Sequence, residues 1–309
     1  MTDSILRRER AARYLLSYLT EPGDGDMHNL VATLGAENAW LYVSQAGSEP
    51  ESVPIEALKR WRPRIQRGWT LEWAIEQLEI LRHRHSIHLV IPADSAWPNG
   101  LADLDRQAPV ALFVRGDVAS LVELNLAPSV AVVGARAATS YGEHVTSELV
   151  AELARTHTIV SGAAYGIDGQ AHRMAIAAGG KTIAFLAGGV DRPYPAGHAN
   201  LIERITANGA VVSEVPPGSA PTKWRFLERN RLIAATSQGL VVVEAGWRSG
   251  SLNAAGHAIG LNRPVMAVPG PVTSAASAGC HRLITEGATL VTSADDIRAA
   301  MNSTKEMVR

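Results

Sequence analysis

The segment TKWRFLERNRLIAA, residues 222–235, has the densest positive charge in the sequence and places aromatic rings among its cations. Its only acidic residue is Glu228, and its aromatic residues are Trp224 and Phe226. Its four cations are Lys223, Arg225, Arg229 and Arg231. Arginine grips phosphates with a planar fork of N–H groups, and an aromatic face stacks on any base. The pattern indicates contact with a nucleic-acid strand, although a solvated helix face with surface salt bridges has the same charges. Asn230, between two arginines and close to a predicted strand end, favours the contact.

The sequence is compatible with two roles for Phe226. Its ring either stacks on a base, or it anchors the helix in the core beside Leu227, Leu232 and Ile233, with which it shares an apolar periodicity. The two roles differ in what removal of the ring would cost, because a stacking ring contributes to binding and a core ring contributes to stability.

The segment VAVVGARAATSYG, residues 130–142, is an apolar strand followed by a turn and a helical pattern. Gly134 lies at the turn, Arg136 just beyond it, and Thr139 or Ser140 at the helix start, where free N–H groups attract anions. The dinucleotide signature G-x-G-x-x-G and the P-loop signature G-x-x-x-x-G-K-[ST] are both missing. A phosphate of a nucleic-acid strand is therefore the favoured ligand, although an exposed arginine at this place needs no ligand at all.

These residues lie close together only if the fold brings several strand ends to one place. The chain after residue 86 has a sequence pattern that predicts such a fold. Apolar strands alternate there with helical segments, which is typical of right-handed βαβ units and a mainly parallel sheet. Strands are predicted at 87–91, 110–116, 129–134, 157–162, 181–189, 209–215, 239–245, 263–270 and 288–292. Helices are predicted at 142–155, 168–178, 198–207, 226–237, 251–260 and 280–286. The fold class is α/β, with an extended Rossmann-like, doubly wound, mainly parallel sheet.

Residues 1–86 have helical periodicity instead, with breaks at EPGDGD (21–26) and AGSEPESVP (46–54). We expect a helical N-terminal domain at 1–86, a Rossmann-like domain at 87–298 and a short C-terminal tail at 299–309. The tryptophans of the first part are expected to pack in its core and between its helices, namely Trp40, Trp61, Trp69 and Trp73.

The predicted ligand edge of the sheet is the one at which the parallel strands end. The stretches that follow the strands are rich in Gly, Ser or Pro and carry polar residues: GAR (134–136), SGAAYG (161–166), GGVDRPYP (188–195), SEVPPG (213–218), EAGWRSGS (244–251) and PGPVTSAASAG (269–279). Glycine lets the backbone come close to a ligand. Several such loops on one rim predict a long site.

Composition restricts the classes of protein further. The 309 residues are 46% hydrophobic and 19% charged, and the formal net charge of −1 means that any site for a polyanion is a local basic patch. Cys280 is the only cysteine, which excludes a disulfide framework and suits a reducing compartment. The N-terminus lacks the pattern of a signal peptide, and no apolar run approaches the roughly 18–20 residues of a membrane span. We expect a cytoplasmic protein with no membrane contact.

Several ordered motifs resemble those of the DNA-processing protein A family, also called Smf. They are VAVVGAR, VSGAAYGIDGQAH, GGVDRPYP, VVSEVPPG, FLERNRLIAA, VVVEAGWRSGSL, VMAVPGP and GCHRLITEGA, and they cover roughly residues 87–292 together with the segment WPNGLADLDRQAPVALFVRG. The resemblance implies an extended Rossmann fold that binds single-stranded DNA without sequence specificity in a basic pocket. It also implies homodimerisation and the loading of a RecA-type recombinase, as in DNA uptake by natural transformation. No cofactor, metal or catalytic residue is expected.

The resemblance implies that Arg136, Arg229 and Arg231 contact DNA, and that the SGAAYGID and GGVDRPYP loops form the pocket floor and rim. The residues expected to line the DNA site are Gly134, Arg136, Ser161, Gly162, Gly166, Asp168, Lys181, Gly188, Gly189, Arg192, Tyr194, Lys223, Phe226, Arg229, Asn230, Arg231, Ser249, Gly250 and Ser251.

The sequence departs from the family pattern at two places. Family members often have a winged-helix domain after the Rossmann domain, and we expect none here, because the sequence ends at MNSTKEMVR. The family pattern SGSLxTA reads SGSLNAA, with Asn253 and Ala254 at a helix start. The helical first part resembles the degenerate helix–hairpin–helix or sterile-alpha-motif-like domain of the family.

An enzymatic alternative is a nucleotide or nucleoside-monophosphate hydrolase of the lysine-decarboxylase-like Rossmann type. Such proteins have a PGGxGTxxE loop whose glutamate is catalytic, whereas this sequence has GGVDRPYP at the corresponding region. Asp168, Glu214 and Glu244 are carboxylates at strand ends or helix starts, where acid–base chemistry is conceivable. The alternative interpretation gives them structural roles: a helix N-cap for Asp168, and partners of loop N–H groups or arginines for Glu214 and Glu244. His172 is expected to be a packed or loop-bonding histidine.

Overall fold

A nine-stranded sheet forms the centre of the molecule in the computed structural model, which describes residues 3–45 and 54–307. The strands are β1 (Ile87–Val90), β2 (Leu112–Gly116), β3 (Ser129–Val133), β4 (Thr158–Ser161), β5 (Thr182–Phe185), β6 (Ala210–Ser213), β7 (Leu240–Val242), β8 (Val265–Ala267) and β9 (Thr289–Leu290). Their order is β1-β2-β6-β5-β4-β3-β7-β8-β9. The prediction of a mainly parallel sheet is confirmed, since only the β1–β2 and β2–β6 pairs are antiparallel.

Eight helices accompany the strands in the described part after residue 86. They are α6 (Ala119–Leu126), α7 (Ser140–Leu153), α8 (Ile167–Ala177), α9 (Ala199–Asn208), α10 (Lys223–Ala235), α11 (Gly250–Gly260), α12 (Ala278–Thr285) and α13 (Ala294–Met307), with 3₁₀ turns at Asn99–Gln107 and Ala196–His198. The six predicted helices are present with ends shifted by a few residues, whereas α6 and α13 were not predicted. Helix α13 crosses the boundary predicted after residue 298.

Five helices precede the sheet in the described residues: α1 (Asp3–Leu19), α2 (Gly25–Leu34), α3 (Ala36–Ser44), α4 (Ile55–Trp61) and α5 (Leu71–His85), with a 3₁₀ turn at Arg62–Arg64. The EPGDGD break is explained by Asp24, whose side chain caps α2 by accepting hydrogen bonds from the N–H groups of Asp26 and Met27. The break predicted at 46–54 lies, except for Pro54, outside the described residues.

The N-terminal helices pack on one face of the sheet rather than beside it. Their buried side chains, such as Leu15 and Trp40, form one hydrophobic cluster with Phe113, Ala184 and Leu186 from the strands and the loop after β5. Trp40 and Trp61 are buried and Trp69 stacks on Trp73 with ring centroids 5.7 Å apart, so the predicted packing of these four tryptophans is confirmed. No helix in the described ranges is long and apolar enough to cross a bilayer.

The parallel arrangement places the loops after β3, β4, β7 and β8 at one edge of the sheet. These loops lead into α7, α8, α11 and α12, whose N-termini therefore lie at the same edge. Helix α10 joins them there, because its first turn follows the loop after β6. The sheet thus gathers the strand ends from which a site was predicted.

Candidate nucleic-acid interface

A cleft of about 750 Å³ lies at the carboxyl edge of the sheet, between the loops after β3, β4 and β7 and the start of α10. Eleven of the nineteen predicted site residues line it: Gly134, Arg136, Asp168, Tyr194, Lys223, Phe226, Arg229, Asn230, Ser249, Gly250 and Ser251. Most of the residues predicted for the site therefore lie together in one cleft, at the edge where the parallel strands end.

Two guanidinium groups lie close to the Phe226 ring in one wall of the cleft. The guanidinium carbon of Arg136 is 4.6 Å from the ring centroid, and that of Arg229 is 5.8 Å from it. The Tyr194 ring lies 5.6 Å from the Phe226 ring. Phe226 is half-buried and belongs to none of the hydrophobic core clusters, so its ring forms the cleft wall and is not a core anchor.

Arg229 is a fixed positive charge close to this ring. Its side chain is buried, and Nη1 donates to the carbonyl oxygen of Gly162 at 2.8 Å and to that of Phe185. A Cβ atom at Gly162 would lie 2.4 Å from Arg229 Nη2, which explains the glycine there. Burial lowers the pKa of Arg229, the charge of Asp168 partly offsets this and the charge of Arg136 adds to it. The resulting pKa is about 10, so the guanidinium stays charged at neutral pH.

Asp168 is a buried counter-charge to Arg229 rather than the helix cap that we predicted. Helix α8 begins after Gly166, which is its N-cap, and Asp168 lies within the first turn. Burial raises the pKa of its carboxyl, while the charge of Arg229 and hydrogen bonds from the backbone of Ala164, Gly134 and Gly162 lower it. The carboxylate thus holds together the two loops that follow β3 and β4.

The N-terminus of α11 forms the opposite part of the lining. Ser249 is the N-cap, and space is open around the Cα of Gly250, since no atom lies within 4 Å of an added Cβ. Asn230 of α10 donates to the Gly250 carbonyl at 3.2 Å and to Asn253 Oδ1 at 2.9 Å, which fixes α10 against α11. Free N–H groups at such a helix end attract a phosphate.

Arg231 is a correction to the predicted site. Its side chain is fully buried, and Nη2 donates to both carboxylate oxygens of Glu214 at 2.6 Å. Glu214 also accepts a hydrogen bond from the N–H of Gly23, in the loop before α2. Arg231 therefore ties α10 to the N-terminal helices and has no exposed surface for a phosphate.

Lys181 is a second correction, because it precedes β5 and so lies at the amino end of that strand. Its Nζ is 3.7 Å from Asp117 Oδ2, across the sheet from the cleft. The cleft residues all follow strands, and a residue that precedes a strand lies at the opposite edge.

The remaining predicted residues lie behind or beside the cleft. The Ser161 hydroxyl donates to the Val132 carbonyl oxygen at 2.6 Å, so it links β4 to the neighbouring strand β3. Gly166 has φ +73°, and an added Cβ would lie 2.2 Å from the Ala135 carbonyl oxygen. Gly188 and Gly189 pack against the loop after β6, and Arg192 is exposed in the loop that carries Tyr194.

The carboxylates of the hydrolase alternative have structural partners. Glu244 accepts from the Thr139 N–H at 2.9 Å and from the Thr139 hydroxyl at 2.5 Å, and Thr139 in turn caps α7. Glu214 binds Arg231, as described. The predicted roles of both glutamates as partners of N–H groups or arginines are confirmed, and no group of metal-ligating side chains occurs in the described residues.

His172 is packed, as predicted. It is fully buried in α8 and its Nδ1 lies 2.7 Å from the Thr182 hydroxyl. Burial, together with the nearby charges of His198, Arg229 and Arg173, lowers its pKa to about 3.

Arg248 is a cleft residue that the sequence prediction omitted. It is exposed and lies just before the N-cap Ser249 of α11. The signal was present, because Arg248 belongs to the strand-end stretch EAGWRSGS from which Ser249, Gly250 and Ser251 were chosen. With Arg248 included, three exposed cations line the cleft: Arg136, Lys223 and Arg248. Arg229 is a fourth, buried cation.

Comparison with known proteins gives a consistent result. The family model described as DNA recombination-mediator protein A matches residues 88–302. The chain is 46% identical over 290 residues to a DprA-named protein of Mycobacterium tuberculosis, covering 84% of this chain and 73% of that protein. It is 42% identical over 206 residues to the DNA processing protein DprA of Streptococcus pneumoniae, covering 67% of this chain and 71% of that protein.

Two solved structures are similar as well. The X-ray structure of DprA from S. pneumoniae superposes with a TM-score of 0.75 at 31% identity, covering 94% of this chain and 97% of the other. DNA processing protein A from Helicobacter pylori, a structure described for its single-stranded DNA binding mode, superposes with a TM-score of 0.61 at 28% identity. That match covers 72% of this chain and 96% of the H. pylori chain.

Proposed function

We propose, because this chain belongs to the DNA recombination-mediator protein A family, that its cleft binds single-stranded DNA without reading the base sequence. The observation that carries the proposal is the Phe226 ring in the cleft wall, with the Arg136 and Arg229 guanidinium groups close to it. An aromatic face accepts any base, and the exposed cations beside it match the phosphates of a strand. The H. pylori relative, which binds single-stranded DNA, supports the same assignment.

The cleft favours a single strand over a duplex for a geometric reason. A base reaches a ring in the wall of a cleft only when it is unstacked and unpaired. In a duplex, exposing such a base costs the free energy of its pairing and stacking. The contacts available are Arg136, Lys223 and Arg248 for phosphates, together with the free N–H groups at the start of α11. None of these contacts distinguishes one base from another, and none requires ATP or a metal ion.

The biological role that we propose is that of a cytoplasmic recombination mediator, which loads a RecA-type recombinase onto the bound strand and acts as a homodimer, as in natural transformation. Family membership supports this part. Light scattering at micromolar concentration and pull-down of a purified RecA-type recombinase test it. A monomer that captures no recombinase would refute both statements without affecting the DNA site.

The test of the DNA site is fluorescence anisotropy with a labelled oligonucleotide, single-stranded or in a blunt duplex, at matched salt. The wild-type protein should bind the single strand more tightly, with little dependence on base sequence. Phe226→Ala should weaken binding of the single strand by about 1–3 kcal/mol. Trp224→Ala is the matched control, because Trp224 is an exposed aromatic residue of the same helix but does not line the cleft.

Equal affinity of the wild-type protein for the duplex and the single strand would contradict the proposal. So would Phe226→Ala binding with wild-type affinity when its thermal unfolding shows that it is folded.

A further inference from the structure

Trp247 is an exposed aromatic residue in the loop between β7 and α11, next in the chain to residues that line the cleft. Its side chain is 62% exposed, in the loop between β7 and α11. Its two neighbours in the chain, Gly246 and Arg248, both line the cleft. Trp247 therefore belongs to a loop that lines the cleft, although its ring lies outside the cleft itself.

The Trp247 ring is held in place from below by a cation. The guanidinium carbon of Arg282, in α12, lies 5.7 Å from the ring centroid. Arg282 in turn donates from Nε to Glu286 Oε1 at 2.8 Å, and Glu286 is the C-cap of α12. A cation over one face orients the indole and leaves the other face to the solvent. A pre-oriented ring loses less side-chain entropy when a ligand stacks on it.

Packing does not account for the exposure of this ring. Indole is the largest aromatic side chain, and burial of such a ring is what usually stabilises a fold. Trp247 instead stays outside the hydrophobic clusters and points an aromatic surface into solvent next to the exposed cation Arg248. A wide aromatic face beside a phosphate-binding cation is the arrangement with which proteins hold an unpaired nucleotide.

We propose that Trp247 is a second base-stacking position, which extends the DNA track beyond the Phe226 wall towards α12. This inference rests on the proposed function of the cleft. A base stacks on the open face of the indole, Arg248 contacts the phosphate next to it, and Arg282 supports the ring from the other face. The protein then holds a longer stretch of single strand than the cleft alone accommodates.

The experiment compares wild-type protein with Trp247→Ala, Trp247→Phe and Trp224→Ala on oligothymidylates of increasing length. Trp247→Ala should bind long oligonucleotides about tenfold more weakly than the wild type, the effect of losing one stacked base. The shortest oligonucleotides, which fill only the cleft, should bind both proteins alike. Trp247→Phe should recover part of the loss. Trp224→Ala, which removes another exposed indole, should match the wild type at every length.

Tryptophan fluorescence gives a readout that a structural role would not change. Stacking of a base on Trp247 quenches its emission, so saturation of the wild type with a long oligonucleotide should quench more than saturation of Trp247→Phe. Identical affinities of Trp247→Ala and wild type at every length, together with a weakened Phe226→Ala, would refute the inference and leave the proposed function standing. If the wild type binds no single strand at all, the proposed function fails and this inference fails with it.

Discussion

The exposed arginines of the cleft, Arg136 and Arg248, should determine how strongly salt weakens DNA binding. Each phosphate that they neutralise releases condensed counterions, which gives single-strand binding a slope of about −0.7 per contact in log affinity against log salt. We therefore expect Arg136→Ala and Arg248→Ala each to lower affinity for all sequences alike and to flatten the slope by about 0.7. Anisotropy titrations at a series of salt concentrations measure both quantities.

Two other arginines serve as controls for this prediction. Arg155→Ala removes the same charge from an exposed position in the turn before β4, at the opposite edge of the sheet, and should leave the slope unchanged. Arg231→Ala should also keep the slope in the folded fraction, but it should lower stability by about 3–5 kcal/mol because Glu214 loses its buried partner. A flatter slope for Arg231→Ala than for Arg136→Ala would place the DNA on the other side of α10.

The buried imidazole of His172 should make the protein acid-sensitive. Its pKa in the folded state is about 3, against an ordinary value of 6.5. Between these two pH values the imidazole is protonated in the unfolded chain and neutral in the folded chain. The stability contributed by neutral His172 is present above pH 6.5 and is lost as the pH falls from 6.5 towards 3. Urea unfolding across this range should show a falling free energy of unfolding for the wild type.

His172→Asn tests this assignment, because asparagine does not titrate. The variant should be less stable at neutral pH, since the contact with the Thr182 hydroxyl is disturbed, but its stability should fall less steeply below pH 6.5. Parallel curves for the two proteins would show that other groups cause the acid sensitivity.

Helix α10 shows why some of the residues predicted for the site line the cleft and others do not. Residues two apart on a helix are separated by about 200°, so Arg229 and Arg231 cannot face the same ligand. Arg229 faces the cleft, whereas Arg231 faces Glu214 and the loop before α2. The prediction grouped the two by composition and by family motif, although the helical period alone separates them.

The strands were the most predictable elements, because continuous apolar runs between turn signals are typical of a sheet buried on both faces. All nine predicted strands are present, with shorter bounds. The antiparallel pairing of β1 and β2 was not predicted, since pairing direction depends on contacts far apart in the chain. Helix α6 was missed because its eight residues carry little periodic signal. The site edge followed from strand direction, and the same rule applied to Lys181 would have excluded it.

The turn from β4 into α8 depends on Gly166, which precedes the helix with φ +73° and ψ −129°. L-residues avoid this region at a cost of about 1–3 kcal/mol, and an alanine Cβ would in addition meet the Ala135 carbonyl oxygen at 2.2 Å. Gly166→Ala should therefore lower the free energy of unfolding by more than this conformational cost alone, as measured by chemical denaturation.

Gly218→Ala is the matched control for the backbone part of that effect. Gly218 also has a positive φ, of +86°, but an added Cβ there meets nothing within 4 Å. Gly218→Ala should lower the free energy of unfolding only by the conformational cost. If the two variants are equally stable, the close approach of the loops after β3 and β4 is not what requires the glycine.

The whole chain should unfold as one unit, because the N-terminal helices and the sheet share a hydrophobic cluster. The Arg231–Glu214 pair and its link to Gly23 join the same two parts. Four of the seven tryptophans lie before residue 87, so fluorescence reports mainly on the N-terminal helices, whereas far-ultraviolet circular dichroism reports on the entire chain. The two denaturation curves should coincide. A fluorescence transition at a lower denaturant concentration than the circular dichroism transition would show that residues 1–86 unfold independently.

The contact between Arg136 and Phe226 has a consequence for selectivity among small solutes. The guanidinium already covers one face of the ring, so a base that stacks on this face has to displace it. A free base or a nucleoside gives the displaced cation nothing in exchange, whereas a polynucleotide brings a phosphate within its reach. Free bases and nucleosides should therefore compete poorly with a DNA strand for the cleft, whereas nucleotides, which carry a phosphate, should compete better than nucleosides do.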